Sequence, residues 1–127
     1  MSDRPHRMLV VDDERVIRFA LHSYFTAQGF DVACAADREE ALSLLGAQSY
    51  DIVIADLRLS GTASEEGLEV IRAARANNAA TRIILLPAYR TPSVDEKAHA
   101  FGADVLLQKP KPLPELAQTV MVLLGRR

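Results

Sequence analysis

Met8-Leu9-Val10-Val11-Asp12-Asp13-Glu14, near the start of the chain, is a continuous apolar run that ends in three acidic residues. A continuous run, rather than an alternating one, is typical of a strand whose two faces are both covered, as in a parallel sheet. Residues directly after such a strand lie at its carboxyl end, where open parallel sheets bind their ligands. The stretch therefore predicts a buried strand over residues 8–11 with a candidate site at its end.

Four further apolar runs along the chain predict four further strands. Three of them are as continuous as the first, and the earliest has smaller side chains. These predicted strands cover residues 32–35, 52–55, 83–86 and 105–107. Helical patterns follow each run, so a strand and a helix alternate five times. This order predicts an α/β fold with right-handed crossovers and one parallel sheet covered by helices on both faces.

End signals mark several of the predicted helices. Asp37 and Glu40 have the spacing of a capping box ahead of the second helix. Thr91 followed by Pro92 predicts an N-cap and the first residue of the fourth helix. Gly102 follows the apolar positions of that helix and predicts its end.

Length and composition exclude several classes of protein. A chain of 127 residues has the size of one domain, so residues 1–127 are expected to form a single unit. With 17 acidic and 15 basic residues the net charge is −2, which argues against direct nucleic-acid binding. No apolar stretch is long enough to span a membrane, and one cysteine excludes an internal disulfide. A cytoplasmic domain with no membrane contact is therefore expected.

Charged residues follow three of the predicted strands. Asp12 and Asp13 follow the first strand, Asp56 ends the third, and Lys109 lies two residues after the fifth. Because the carboxyl ends of parallel strands meet at one edge of a sheet, these four residues are expected to converge there. Taken singly, such an aspartate is most simply a helix cap and such a lysine a solvated side chain. The set of four is what favours a functional site.

The charges of this set indicate the chemistry of the site. Two like charges about 4 Å apart repel by about 4 kcal/mol at an effective dielectric constant near 20, so three carboxylates in one cleft need a cation. A few hard oxygen ligands with room for water suit Mg²⁺. A carboxylate beside Mg²⁺ and a lysine can also act as a nucleophile toward phosphorus and form an aspartyl phosphate.

With these features the chain resembles the response-regulator receiver domains of two-component signalling. Besides Asp12-Asp13-Glu14, the matching segments are Ile54-Ala55-Asp56-Leu57, Gly67-Leu68-Glu69-Val70, Gly102-Ala103-Asp104 and Lys109-Pro110. Together they span nearly the whole chain. The resemblance implies a flavodoxin-like (βα)5 three-layer sandwich, in which the five-stranded parallel sheet has the order 2-1-3-4-5.

The resemblance also implies a role for each residue of the set. Asp56 would accept a phosphoryl group from a phosphohistidine on a sensor histidine kinase or a histidine phosphotransfer protein, as one step of a phosphorelay. Lys109 would contact the phosphoryl oxygens. Asp13 and Asp56 would bind Mg²⁺ directly, Asp12 would bind it through water, and the backbone carbonyl of Arg58 would complete the protein ligands.

Further expectations concern the surroundings of the phosphoryl group. The backbone amide of Ala88 would bind it, and Arg58 and Tyr89 would flank it and tune dephosphorylation, although both fit solvated loop residues equally well. The Lys109–Pro110 bond is expected to be cis. The fourth helix, fifth strand and fifth helix, about residues 91–124, would form the surface for a homodimer or an output domain. Beyond slow self-dephosphorylation, such a domain is not an enzyme.

Two positions depart from the family pattern. Pro87 stands where the family has a threonine or serine, and Leu106 where it usually has an aromatic residue. One hydrogen bond to a charged group contributes about 1.5–3 kcal/mol. Moving a switch from about 1:99 to 99:1 takes about 5.5 kcal/mol, so the loss of the hydroxyl removes a large part of the usual switching force.

The loop after Asp56 is a third departure. The family typically has a glycine eight residues beyond the acceptor, whereas here Gly67 lies eleven beyond it, and Leu59-Ser60 replace the usual Met-Pro. This three-residue insertion is most simply a tolerated change in a surface loop. The alternative is a loop that contacts a partner or gates the site.

Three functions from different classes follow from the sequence. The first is a phosphoacceptor receiver domain. The second, favoured by Pro87 and Leu106, is a receiver-like protein-binding module whose interactions do not depend on phosphorylation. The third is a hydrolase that uses Asp56 as nucleophile toward small phosphate esters. A cofactor-binding flavodoxin-like protein is disfavoured, because no glycine-rich phosphate loop follows the first strand.

Overall fold

The computed structural model describes residues 4–59 and 65–125 of the chain. Five strands alternate with five helices: β1 (Arg7–Val11), α1 (Arg15–Ala27), β2 (Asp31–Ala35), α2 (Arg38–Ala47), β3 (Ile52–Asp56), α3 (Glu66–Asn77), β4 (Arg82–Leu86), α4 (Pro92–Phe101), β5 (Val105–Leu106) and α5 (Leu113–Leu123). All four strand pairings are parallel, and the sheet has the order β2-β1-β3-β4-β5. The predicted α/β fold and its 2-1-3-4-5 order are confirmed. Among the described residues no helix is long and apolar enough to cross a bilayer.

The predicted strands differ from the observed ones only at their ends. Three strands start one residue earlier than predicted, at Arg7, Asp31 and Arg82, because a sheet is paired through its backbone and polar side chains do not end the pairing. The third strand continues to Asp56. The fifth was predicted to reach residue 107 but ends at Leu106, although the next backbone N–H still donates to β4.

The predicted helix ends are present in the structure. Asp37 Oδ1 accepts a hydrogen bond of 2.8 Å from the backbone N–H of Glu40 and caps α2. Thr91 Oγ1 accepts one of 3.1 Å from the N–H of Val94 and caps α4. Gly102 ends α4 with a φ of 113°, a left-handed conformation that glycine adopts at little cost.

The apolar side chains of the strands alternate between two buried cores, one on each face of the sheet. On β1, Leu9 and Val11 pack toward α2, α3 and α4, whereas Met8 and Val10 pack toward α1 and α5. Both faces of a central strand are thus removed from water, which explains why the runs are continuous rather than alternating. Strand β3 lies between β1 and β4, and every one of its residues is buried.

Helix α3 begins in close contact with the end of β3. The backbone N–H of Gly67 donates a hydrogen bond of 2.8 Å to the carbonyl oxygen of Leu57. A Cβ at position 67 would overlap the carbonyl oxygen of Asp56 and would lie 2.8 Å from the Cα of Leu57. The close approach of the two backbones therefore requires glycine at position 67. Leu59 is buried, whereas Ser60 and the rest of the inserted loop to residue 64 lie outside the described residues.

Gly67→Ala is expected to lower the free energy of unfolding by about 1–3 kcal/mol, because the added methyl group forces α3 away from the end of β3. Gly46→Ala in α2 is the matched control, since its methyl group would meet no atom within 4 Å. The control is expected to be neutral or to stabilise the domain by up to about 1 kcal/mol. Urea unfolding measures both variants. Equal effects at the two positions would contradict the close approach at Gly67.

Candidate functional site

Three carboxylates meet at the carboxyl edge of the sheet. Asp12 follows β1 and Asp56 ends the neighbouring strand β3, so the sheet order itself places them side by side. One carboxylate oxygen from each of Asp12, Asp13 and Asp56 can be chosen so that all three lie within 4.8 Å of one another. Asp12 is 2% exposed and Asp56 8% exposed, whereas Asp13 is exposed to solvent. Two of the three charges are thus held away from water.

Lys109 lies among these carboxylates. Its Nζ is 2.8 Å from Asp12 Oδ2, 3.3 Å from Asp56 Oδ2 and 3.6 Å from Glu14 Oε2. The peptide bond between Lys109 and Pro110 is cis, as expected. The sequence assigned no role to Glu14, although it directly follows the aspartate pair, because an exposed acid next to a helix is most simply a solvated side chain.

Hydrogen bonds fix the position of Asp12. Its Oδ1 accepts a bond of 2.9 Å from the N–H of Glu14, while its Oδ2 contacts Lys109. Its backbone carbonyl accepts a bond of 2.9 Å from Arg18 Nη1, and its N–H donates to the carbonyl of Ala35. Both carboxylate oxygens of Asp12 thus have a protein partner. Its predicted contact with the cation through water stays a prediction.

Burial and repulsion perturb the ionisation of the cluster. Burial raises the pKa of Asp56 to about 6, Lys109 opposes this rise, and the charges of Asp12 and Asp13 add to it. Burial alone would lower the pKa of Lys109, but its contacts with Asp12 and Asp56 raise it above the ordinary value. One ammonium group therefore faces three carboxylates, and its charge is insufficient to offset theirs.

The chemistry of the donor set fits a divalent cation of the Mg²⁺ class. All the side-chain donors are carboxylate oxygens, the hard ligands that Mg²⁺ prefers, and they are few enough to leave room for water. A bound Mg²⁺ would supply the positive charge that Lys109 alone does not. The residues present are thus able to hold the cation that the sequence predicts.

A cleft of about 250 Å³ opens beside the acidic cluster. It is lined by Asp13, Glu14, Asp56, Leu57, Arg58, Ala88 and Lys109. Arg58 and Ala88 are therefore brought beside Asp56, as the sequence predicts. Tyr89 is not among the lining residues: its side chain is 73% exposed and borders a neighbouring cavity of about 520 Å³ between α1 and α5. Its predicted role in tuning dephosphorylation stays a prediction.

The two positions that depart from the family pattern are both buried. Pro87 follows β4, and its carbonyl oxygen accepts a hydrogen bond of 2.9 Å from the N–H of Lys109. Leu106 ends β5 and belongs to the core on the α2–α4 face of the sheet. Pro87 has neither a side-chain donor nor a backbone N–H. A ligand at the end of β4 would therefore accept a hydrogen bond from the backbone N–H of Ala88.

A doubly wound sheet with an acidic cluster and a lysine at its carboxyl edge defines an α/β domain built to hold a cation beside a buried carboxylate. The family model for the response regulator receiver domain matches residues 8–121 of the chain. The chain belongs to this family.

Similar proteins agree with this assignment. The response regulator MprA of Mycolicibacterium vanbaalenii is 36% identical over 124 residues, which cover 96% of this chain and 52% of that protein. The chain thus spans about half the length of the curated relatives that it matches.

Solved structures share the fold. The response regulator TrrA of Thermotoga maritima, in complex with Mg²⁺ and BeF, is 36% identical with a TM-score of 0.79, and the match covers 93% of this chain and 98% of that one. A response regulator of Burkholderia pseudomallei, with a phosphorylated aspartic acid, a calcium ion and citrate, is 27% identical with a TM-score of 0.83, and the match covers 94% and 69%.

Asp56→Asn is expected to raise the Tm of the metal-free domain at about pH 7.5 by about 3 °C or more. Because folding raises the pKa of Asp56 to about 6, its charged form is less stable in the folded than in the unfolded state, and this cost is present above that pH. Below pH 6 the wild-type carboxyl takes up a proton in the folded state, so the difference in Tm should shrink toward about pH 5.

Thermal unfolding of both proteins at the two pH values measures this effect. Glu96→Gln removes one carboxylate from an exposed position on α4 and is the control for the change in net charge. It should leave Tm nearly unchanged at both pH values. A lower Tm for Asp56→Asn than for the wild type at both pH values would contradict the electrostatic account of the cluster.

Proposed function

We propose that the domain is a phosphoacceptor whose acceptor is Asp56, loaded by a sensor histidine kinase or a histidine phosphotransfer protein with Mg²⁺ as cofactor. The observation that carries this proposal is the grouping of a buried Asp56 with two further carboxylates and Lys109 around one cleft. Family membership supports it, and so does the phosphorylated aspartic acid in the similar Burkholderia structure.

The transfer uses Asp56 as nucleophile. A carboxylate oxygen of Asp56 forms a bond to the phosphorus of a phosphohistidine, while the P–N bond breaks and its electron pair stays on the imidazole. The product is a mixed anhydride, an aspartyl phosphate. Lys109, whose Nζ lies 3.3 Å from Asp56 Oδ2, would bind a phosphoryl oxygen, and the amide of Ala88, which lines the same cleft, would offer a further donor.

Four protein groups would hold the cation. Asp13 and Asp56 would bind it directly, Asp12 would bind it through water, and the backbone carbonyl of Arg58 would complete the set. When bound, Mg²⁺ offsets the negative charge of the phosphoryl group as well as that of the carboxylates. Because Asp56 is buried and Arg58 lines the same cleft, we expect both to limit the access of water to the anhydride. Self-dephosphorylation would then be slow, and no other turnover is expected.

The signal is a change of charge and hydrogen bonding at Asp56, of about −1.5 to −2 for a phosphoryl group at neutral pH. Its output passes through α4, β5 and α5, the surface for a homodimer or an output domain. Direct contact with nucleic acid or membrane is not part of this function. We place the domain in the cytoplasm and treat residues 1–127 as one receiver unit. Because the curated relatives are about twice as long, the kinase and the output of the whole protein are part of this proposal.

The receiver-like binding module is the less favoured reading. Pro87 and Leu106 support it, because they remove the usual hydroxyl and aromatic ring from the switch. The intact group of Asp12, Asp56 and Lys109 argues against it, since a module that does not use phosphorylation gains nothing from three crowded carboxylates.

Incubation with acetyl phosphate and Mg²⁺ is expected to add the mass of one phosphoryl group to the wild-type chain, measured by intact-protein mass spectrometry. Asp56→Asn should remain unmodified because its amide is not a nucleophile. Lys109→Ala should label much more slowly, since it removes the cation beside the acceptor. Asp31→Asn is the matched control and should label like the wild type, because Asp31 is exposed and lies at the amino end of β2, away from the acidic cluster.

Three results would separate the alternatives. The phosphoacceptor proposal would be contradicted if the wild-type chain stayed unmodified while another receiver domain was labelled under the same conditions. An oligomeric state and partner affinity that stay the same with and without beryllofluoride would instead favour the constitutive binding module. If the wild-type chain hydrolysed a phosphomonoester and Asp56→Asn did not, the result would support the hydrolase hypothesis.

A further inference from the structure

Arg90 lies in the loop between β4 and α4, three residues after Pro87. Its backbone N–H donates a hydrogen bond of 3.1 Å to Oε1 of Gln108. Gln108 directly precedes Lys109, the lysine of the acidic cluster, and Lys109 in turn donates its N–H to the carbonyl of Pro87. The loop that carries the amide of Ala88 is therefore joined to the segment that carries the lysine.

The side chain of Arg90 makes two further links. Its Nη1 donates a hydrogen bond of 3.2 Å to the carbonyl oxygen of Leu106 on β5. Its Nε and Nη2 donate bonds of 3.2 and 2.9 Å to the two carboxylate oxygens of Asp95, in the first turn of α4. One guanidinium group thus connects the edge strand to the start of the helix.

This geometry needs an arginine. A guanidinium group has five N–H donors in a fixed planar fork, so two can face a carboxylate while another bonds a carbonyl oxygen. A lysine ammonium is a single compact charge on a flexible stem and does not reproduce this fork. The side chains of Arg90 and Asp95 are 43% and 35% exposed, so the ion pair itself contributes little to stability. Its structural effect is to fix the position of α4 relative to β5.

The contacts of Arg90 lie close to the two positions, Pro87 and Leu106, that depart from the family pattern. Leu106, which has no aromatic ring to offer, provides the carbonyl that Arg90 binds, and Pro87 begins the loop that Arg90 anchors. A response to phosphorylation at the fourth helix therefore needs a different connection. The contacts of Arg90 supply one that runs from the residue beside Lys109 to the first turn of α4.

We propose that Arg90 is a positioning residue that couples phosphorylation of Asp56 to the placement of α4, in place of the hydroxyl and aromatic pair. A phosphoryl group that binds Lys109 and the amide of Ala88 shifts the two segments that Arg90 joins, and the fork transmits the shift to Asp95. This inference rests on the proposed phosphoacceptor function. Arg90 itself touches neither the acceptor nor the phosphoryl group.

The test compares the wild-type chain with Arg90→Ala and Arg90→Lys by the amide chemical shifts of α4 with and without saturating Mg²⁺ and beryllofluoride. In Arg90→Ala the shift changes across α4 are expected to lose about half or more of their amplitude, a loss of coupling between two sites. The changes at residues 12–14 and 56–58 should persist, because the mimic still binds. Arg90→Lys should resemble Arg90→Ala, since the charge remains but the fork is lost.

Two other variants separate coupling from simple stabilisation. Asp95→Asn removes the α4 end of the link and should reduce the α4 response as Arg90→Ala does. Lys97→Ala removes another ion pair of α4, the 3.1 Å contact with Glu65, and should leave the response unchanged. A merely structural role of Arg90 would lower Tm yet leave the amplitude at saturation intact.

The outcomes are distinct for the two proposals. A full α4 response in Arg90→Ala, with the mimic bound, would overturn the role of Arg90 and leave the phosphoacceptor function standing. Equal losses in Arg90→Ala and Lys97→Ala would also overturn it, because any ion pair of α4 would then suffice. Failure of the wild-type chain to bind the mimic would overturn both.

Discussion

The crowding of three carboxylates at one edge of the sheet is the constraint on which the rest of the structure depends. Asp12 and Asp56 are nearly inaccessible to water, yet their oxygens and those of Asp13 lie within 4.8 Å of one another. Such a cluster is costly unless cations offset it, and Lys109 offers only one charge. Burial is the main cause of the raised pKa of Asp56; Lys109 opposes the rise, and the charges of Asp12 and Asp13 add to it. A site of this kind is suited to bind a divalent cation together with an anionic group.

The strand order explains how four distant positions meet. Strands β1 and β3 are neighbours, so their acidic ends adjoin, whereas β5 lies two strands away from β3. At about 4.8 Å per strand, the backbone before Lys109 is about 10 Å from that of Asp56. Only a long side chain spans this gap, and it must pass the end of β4, where Pro87 and the small Ala88 stand. Gly67 allows α3 to begin directly against the backbone of Asp56 and Leu57.

The continuous apolar runs and the residues after them were sufficient to predict the α/β class, the parallel sheet and the members of the acidic cluster. The strand order was implied by the resemblance to the receiver family. The sequence misplaced strand ends such as Arg7, because backbone pairing continues through polar residues. It also missed Glu14 and Arg90, whose partners depend on side-chain conformation and on loops that meet only in the folded chain. Tyr89 lies beside the neighbouring cavity rather than in the acceptor cleft, since sequence position alone does not orient a loop side chain.

The most direct test of this account is to identify the acceptor chemically. After reaction with acetyl phosphate and Mg²⁺, borohydride reduces an aspartyl phosphate to homoserine, and peptide mass spectrometry locates the changed residue. The account predicts homoserine at position 56, with Asp12 and Asp13 intact, and no homoserine when Mg²⁺ is removed. Homoserine at position 12 or 13, or equal conversion without Mg²⁺, would contradict it.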